Sequence, residues 1–99
     1  MYRPLPKELT IKNSGIHGLG LFAVDDIPLN TKLGLTHLRY EDMMVRTPLG
    51  GFYNHSNNPN CEKYLVGFCY FLKTVKDIKN GEEITVKYTL YNIGDRNGD

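Results

Sequence analysis

Amide, imidazole, hydroxyl and thiol side chains crowd together at Asn54, His55, Ser56, Asn57, Asn58, Asn60 and Cys61, with Pro59 holding the exit. Such a loop exposes many hydrogen-bonding groups in fixed positions and offers little apolar surface to a core, a composition suited to gripping a polar ligand. Asn54 carries donors and an acceptor on one side chain and can satisfy an amino-acid-like head group. His55 could be a general base, a metal ligand or a structural ring, and for a lone histidine in such a loop the structural role is the default. Metal ligation is disfavoured, because His17, His37, His55, Cys61 and Cys69 show no C-x-x-C or H-x-x-x-H pairing. A Ser-His-Asp hydrolase is disfavoured too, since Ser56 lies beside His55 rather than on a nucleophile elbow.

Two other segments could contribute chemistry. Gly15-Ile16-His17-Gly18-Leu19-Gly20-Leu21-Phe22-Ala23 brings glycines close enough for a backbone to approach a ligand and present its N–H and C=O groups. Its spacing is G-x-x-G-x-G with an apolar continuation, which is not the dinucleotide fingerprint, and no Gly-Lys-Ser/Thr follows. Taken alone it reads as a glycine-rich turn. Gly81-Glu82-Glu83-Ile84-Thr85-Val86-Lys87-Tyr88-Thr89-Leu90-Tyr91 alternates as a strand, with Ile84, Val86 and Tyr88 on one face and Thr85, Lys87 and Thr89 on the other. Tyr88 is expected to point inward and to need a partner for its hydroxyl. Either a core tyrosine or a tyrosine-lined pocket satisfies that.

The elements that must position these groups are mostly strands. Ten glycines, five prolines and short alternating segments predict a mainly β domain with much loop. Strands are expected at Leu9–Lys12, Leu21–Val24, Cys69–Val75 and Glu83–Tyr88, the last two joined through a turn at Lys79-Asn80-Gly81. The one plausible helix is His37 to Val45, where Leu38, Met43 and Met44 could share a face. There is also an internal echo: residues 24–33 align without gaps on residues 75–84, both placing Asp-Ile before a turn and Asn30 or Gly81 where a positive φ is cheapest. Two such corners imply small curved sheets folding over each other.

Bulk properties narrow the class. Ninety-nine residues without a linker make a single domain, 1–99, with little stability to spare. The net charge of +1, with Lys73, Lys76, Lys79 and Lys87 alternating with Asp77, Glu82 and Glu83, lacks the one-sided footprint of a direct nucleic-acid binder. No apolar run approaches membrane-spanning length, and no secretory core or targeting signal is evident. Cys61 and Cys69 are then expected to be free thiols, and the chain intracellular, cytoplasmic or nuclear.

In this order, the three segments resemble the SET-domain family of S-adenosylmethionine-dependent protein lysine methyltransferases. The first is similar to the family's G-x-G-(L/V)-(F/Y)-(A/S), the second to its F-x-N-H-S-x-x-P-N-C, and the third to its G-E-E-(L/I)-T-x-x-Y. Residues 70–78 are like the strand that leads into the third, so the likeness runs from about Leu9 to Tyr88, with 89–99 a C-terminal flank. It implies a β-clip fold of small curved sheets with at most one or two short helices. A pseudoknot is expected in the C-terminal half, where the Asn54–Cys61 segment and the Tyr88 end thread past each other. It further implies that His17, Gly18, Leu19 and Gly20 hold the methionine part of S-adenosylmethionine. The Asn54 side chain would meet the cofactor's amino group, the His55 backbone its adenine edge, and Tyr91 would cover the adenine or close the channel. Tyr88 would be catalytic, orienting a lysine amine in a channel shared by Thr36, His37, Tyr40 and Tyr53. Methyl transfer of this kind needs no enzyme nucleophile and no metal; the protein contributes positioning and electrostatics.

Departures from the family pattern matter as well. Thr36 stands where many members place a second active-site tyrosine, and Tyr40 is the nearest tyrosine to it. The segment between Leu35 and Gly51 is short, and no cysteine-rich zinc cluster follows Tyr88. The resemblance is thus to a minimal member without flanking zinc clusters, acting on a lysine of a protein, histone-like in class. A homodimer partner could complete the groove. The alternative is a non-catalytic SET-like module that binds S-adenosylmethionine or a peptide.

Overall fold

Strand patterning dominates residues 5–87, the part described by the structure, a computed structural model. Tyr88 and Tyr91 lie outside the described residues. β1 (Leu9–Asn13) and β2 (Leu19–Ala23) pair antiparallel, with Leu9 opposite Ala23 and Asn13 opposite Leu19. A six-stranded sheet holds β3 (Lys32–Tyr40), β4 (Met43–Arg46), β5 (Asn54–His55), β6 (Cys61–Val66), β7 (Cys69–Thr74) and β8 (Thr85–Val86), in the order β4-β3-β7-β6-β8-β5. One helical turn, α1 (Pro48–Gly51), lies between β4 and β5. Leu21, Leu72, Cys61 and Ile84 are fully buried where the two sheets meet. Among the described residues no helix is long and apolar enough to cross a membrane.

The expected helix over His37–Val45 is not there. Those residues form the end of β3, a turn at Glu41-Asp42, and β4, with Leu38 opposite Val45 and Tyr40 opposite Met43. At about 100° per residue, Leu38 and Met43 would sit roughly 140° apart around a helix, so they never shared a helical face. In the hairpin they share one face of the sheet instead. A second correction concerns Lys79-Asn80-Gly81, which does not join β7 to β8 as a hairpin, because β6 lies between those strands. Thr85, on the face opposite Ile84 and Val86, is buried as they are. A strand flanked on both sides within a sheet and covered on both faces loses its exposed phase.

The internal echo has a structural counterpart. Residues 24–33 and 75–84 meet each other about an approximate twofold, and Ile27 and Ile78 exchange both backbone hydrogen bonds, at 2.7 and 2.8 Å. Asp26 Oδ1 accepts from Asn80 N–H and Asp77 Oδ1 accepts from Leu29 N–H, each at 2.9 Å. The aligned residues Asn30 and Gly81 both adopt positive φ, 68° and 95°, and donate to Thr74 O and Ala23 O. Turn chemistry that looked like two separate corners therefore builds one interlock across the domain.

β8 sits between β5 and β6 and runs parallel to both, so residues 56–60 must cross it. Asn60 fastens that crossing: its Nδ2 donates to Glu83 O at 2.8 Å and its Oδ1 accepts from Thr85 N–H at 2.9 Å. Cys61 and Cys69 are both free. They stand opposite Thr74 and Val66 in the β6–β7 ladder, so roughly 17 Å of strand separates their levels, well beyond disulfide reach.

Candidate functional site

The chain leaves β1 in a tight turn. Ser14 N–H donates to Gly18 O at 2.7 Å, while Ser14 Oγ accepts from the N–H groups of Ile16 and His17 at 2.9 and 3.3 Å. Gly18 adopts φ 51°, a left-handed conformation that costs glycine least. Facing this turn is the segment delivered by α1. Thr47 caps that helix, accepting from Gly50 N–H at 3.3 Å, and its hydroxyl donates to Leu35 O at 2.6 Å. Gly50 packs so closely that a side chain there would collide with Thr36 O. Pro48 at the first helical turn and the cap together fix where Tyr53 and Asn54 emerge.

Asn54 is the junction. Its Nδ2 lies 2.7 Å from Glu83 Oε2 and 3.2 Å from each of Ser14 Oγ, His17 O and Leu19 O. Carbonyls and a carboxylate only accept, so the amide nitrogen must face them and share its two hydrogens among them. That orientation leaves Oδ1 without a hydrogen bond to any described residue. Glu83 also accepts the Ser14 hydroxyl, at 2.9 and 2.8 Å to its two oxygens. Gly20 on β2 lies flush against the pair: a Cβ there would collide with Glu83 Oε2 and stand 3.2 Å from Asn54 Nδ2.

A cavity of about 370 Å³ opens on this cluster, lined by His17, Gly18, Leu19, Gly51, Phe52, Tyr53 and Asn54. Its size falls in the range of small-molecule sites, about 300–1,000 Å³. His17, Gly18, Leu19 and Asn54 are thus brought together, with Gly20 behind them and Tyr53 beside them. His55 is the next residue of β5, in register with Val86, and its ring Nε2 lies 3.2 Å from Asn57 Oδ1. Among the described residues no group of three or more His, Cys, Asp or Glu could hold a metal ion.

The residues expected along a substrate channel are more dispersed. Thr36 is fully buried and its hydroxyl donates to Tyr70 O at 3.1 Å. Its oxygen therefore accepts from His37 Nδ1–H, 3.0 Å away. The His37 ring meets Tyr70 edge-on, and its pKa is pushed down to about 4 by burial first, then by the charges of Lys63 and Arg46. Tyr40, 62% exposed, stands at the hairpin tip, about 13 Å along β3 from Thr36. Ser14 and Glu83 are site residues that the sequence reading passed over. In the sequence, Asn13-Ser14-Gly15 carries only ordinary turn chemistry, and the signal for Glu83 is a charge placed directly before the buried run Ile84–Val86.

The family model for the SET domain matches residues 36–89, more than half of the chain. Curated relatives from two strains of Cryptococcus neoformans var. neoformans serotype D, JEC21 and B-3501A, are named as histone-lysine N-methyltransferases specific for H3 lysine-36. Each is 41% identical over 59 residues, covering 56% of this chain but only 7% of the relative's length. A solved Plasmodium falciparum protein assigned as a histone methyltransferase superposes with a TM-score of 0.66 at 20% identity, over 84% of this chain and 94% of that one. The methyltransferase domain of human PR domain-containing protein 2 gives 0.70 at 19% identity, over 86% and 79%. Both solved structures share this chain's fold. By sequence match and by architecture together, this chain belongs to the SET domain family.

Proposed function

We propose that the chain is the core of a protein lysine N-methyltransferase that uses S-adenosylmethionine and takes a histone-like protein as substrate. The observation that carries this reading is the Asn54 amide, held by four acceptors, with Oδ1 bonded to none of the described residues, at the wall of a cavity of ligand size. An acceptor oxygen in front of the Glu83 carboxylate suits a cationic amino group, and the backbone of His17, Gly18 and Leu19 suits the rest of an amino-acid head. The residues present therefore fit the cofactor. When bound, S-adenosylmethionine would supply a sulfonium methyl group that a neutral lysine amine can take up, the S–C bond breaking as the N–C bond forms and S-adenosylhomocysteine leaving. The chain's part is to hold and orient. The backbone of His55 would meet the adenine, Tyr53 would border the amine's approach, and Tyr88 would orient the amine through its hydroxyl. Tyr91 would cover the adenine or close the channel. The names of the curated relatives support both the activity and the histone-like substrate, and a nuclear place of action follows from that substrate class.

One observation favours a second reading, a SET-like module that binds cofactor or peptide without turnover. The Thr36 hydroxyl is committed to Tyr70 O, and Tyr40 stands at an exposed tip. Two measurements separate the readings. Calorimetry with S-adenosylmethionine is expected to show saturable binding, and transfer of labelled methyl to histones is expected from wild type and absent from Tyr88→Phe, with binding nearly unchanged. Binding without transfer by wild type selects the second reading, and no binding of S-adenosylmethionine removes the first reading and the cofactor-binding form of the second.

A further inference from the structure

Glu83 lies behind the cavity wall rather than in its lining, yet it holds two side chains that shape that wall, Asn54 and Ser14. We propose that Glu83 is the positioning residue of this site: its carboxylate locks the Asn54 amide with Oδ1 turned outward, so that the cavity selects ligands bearing a cationic α-amino group. This rests on reading the cavity as the S-adenosylmethionine site.

The argument is one of donors and acceptors. Glu83 Oε2, at 2.7 Å, is the shortest of the four acceptors around Asn54 Nδ2 and the only charged one. The Ser14 hydroxyl spends its single proton on the same carboxylate, which leaves its lone pairs to accept from Ile16 and His17 N–H. The carboxylate therefore fixes both walls, the amide on one side and the turn of residues 14–18 on the other. Gly20 supplies the room, because any side chain there would displace Glu83 Oε2. A neutral amide in place of the carboxylate would set an N–H donor against the donors of Asn54 or Ser14. Asn54 relieves that conflict by rotating its amide, which presents Nδ2 to the ligand's ammonium and turns attraction into repulsion. The adenine end is spared, since the His55 backbone is held by β8 instead.

The test compares two neutral-sulfur ligands. S-adenosylhomocysteine carries the amino-acid head and 5′-methylthioadenosine lacks it; calorimetry follows the first and ligand-observed NMR the second. In Glu83→Gln the dissociation constant for S-adenosylhomocysteine is expected to rise at least 30-fold, while that for 5′-methylthioadenosine stays within threefold. Equal weakening of both ligands would show Glu83 to be merely structural and overturns the proposal, as does an unchanged constant for S-adenosylhomocysteine. Should Glu83→Gln lose its fold by circular dichroism, Ser14→Ala serves instead, with an expected fivefold selective weakening and the same overturning result. Wild type binding neither ligand is a distinct outcome: it defeats the reading of the cavity itself, and the proposal with it.

Discussion

Substituting Gly20 by alanine tests the packing behind the site without touching its lining. Gly20 does not have a positive φ, so alanine meets no backbone penalty and gains about 0.4–1 kcal/mol by narrowing the unfolded ensemble. Against that gain, the new Cβ would collide with Glu83 Oε2 and stand 3.0 Å from Glu83 Cδ, so the carboxylate must move. It then gives up hydrogen bonds from Ser14 and Asn54, each worth about 1.5–3 kcal/mol because the acceptor is charged. Allowing for partial re-solvation, the net loss is about 2–3 kcal/mol, or about 10–20 °C in Tm for a domain of this size. The decisive assay is a double-mutant cycle with Glu83→Ala, followed by urea denaturation. Once Glu83 is shortened the main obstacle is gone and only the tight contact with Asn54 Nδ2, at 3.2 Å, remains, so the cost of Gly20→Ala should shrink by about 2 kcal/mol. Gly18→Ala is the control: nothing lies within 4 Å of its Cβ, and φ 51° alone costs about 1–2 kcal/mol in either background. An equal cost of Gly20→Ala in both backgrounds would refute the argument that it acts through Glu83.

The remaining predictions use titration and reactivity. His37 is held neutral in the fold, with a pKa near 4 against 6.5 for the free side chain, so the unfolded chain takes up the proton first as pH falls. Its contribution to stability is therefore complete above pH 6.5 and is lost as pH drops toward 4. Discounted for partial exposure, that is about 1 kcal/mol, and urea midpoints at pH 7 and pH 5 should converge in His37→Gln. Cys61 is buried and its thiol is pushed up to about 12 by desolvation. At pH 8 a thiol reagent should label Cys69 quickly and Cys61 only at the rate of unfolding, read by mass spectrometry of peptides. Prompt labelling of both would contradict the buried placement of β6.

How much could be read from the chain alone depended on the distance between partners. The turn residues, the Asn54 loop and most strands were visible because their signals are local. The helix over His37–Val45 failed for lack of a true 3.6-residue period, and hairpin pairing through Leu38 and Val45 left a similar density of apolar residues. Alternation placed Thr85 opposite Ile84 and Val86 but could not show that β8 is buried on both faces. Glu83 was legible as a motif residue but not as an organiser, since its partners Asn54 and Ser14 lie 29 and 69 positions away. Nothing in a local window distinguishes a glutamate that solvates a turn, as Glu82 does at Lys79 N–H, from one that orders a cavity wall.

The interlock of Ile27 with Ile78 also governs how the domain comes into being. Its side-chain ties join residues 48 and 54 positions apart, so closing it requires ordering a long loop before any reward is collected. Such contact order favours one slow, all-or-none folding step over stepwise assembly. During synthesis at about 5–20 residues per second, the glycine turn and β2 emerge roughly 3–10 s before the segment that fixes them. Over that interval the first third of the chain has no partner for Ile27, and the nascent cavity wall waits on a strand still to be made.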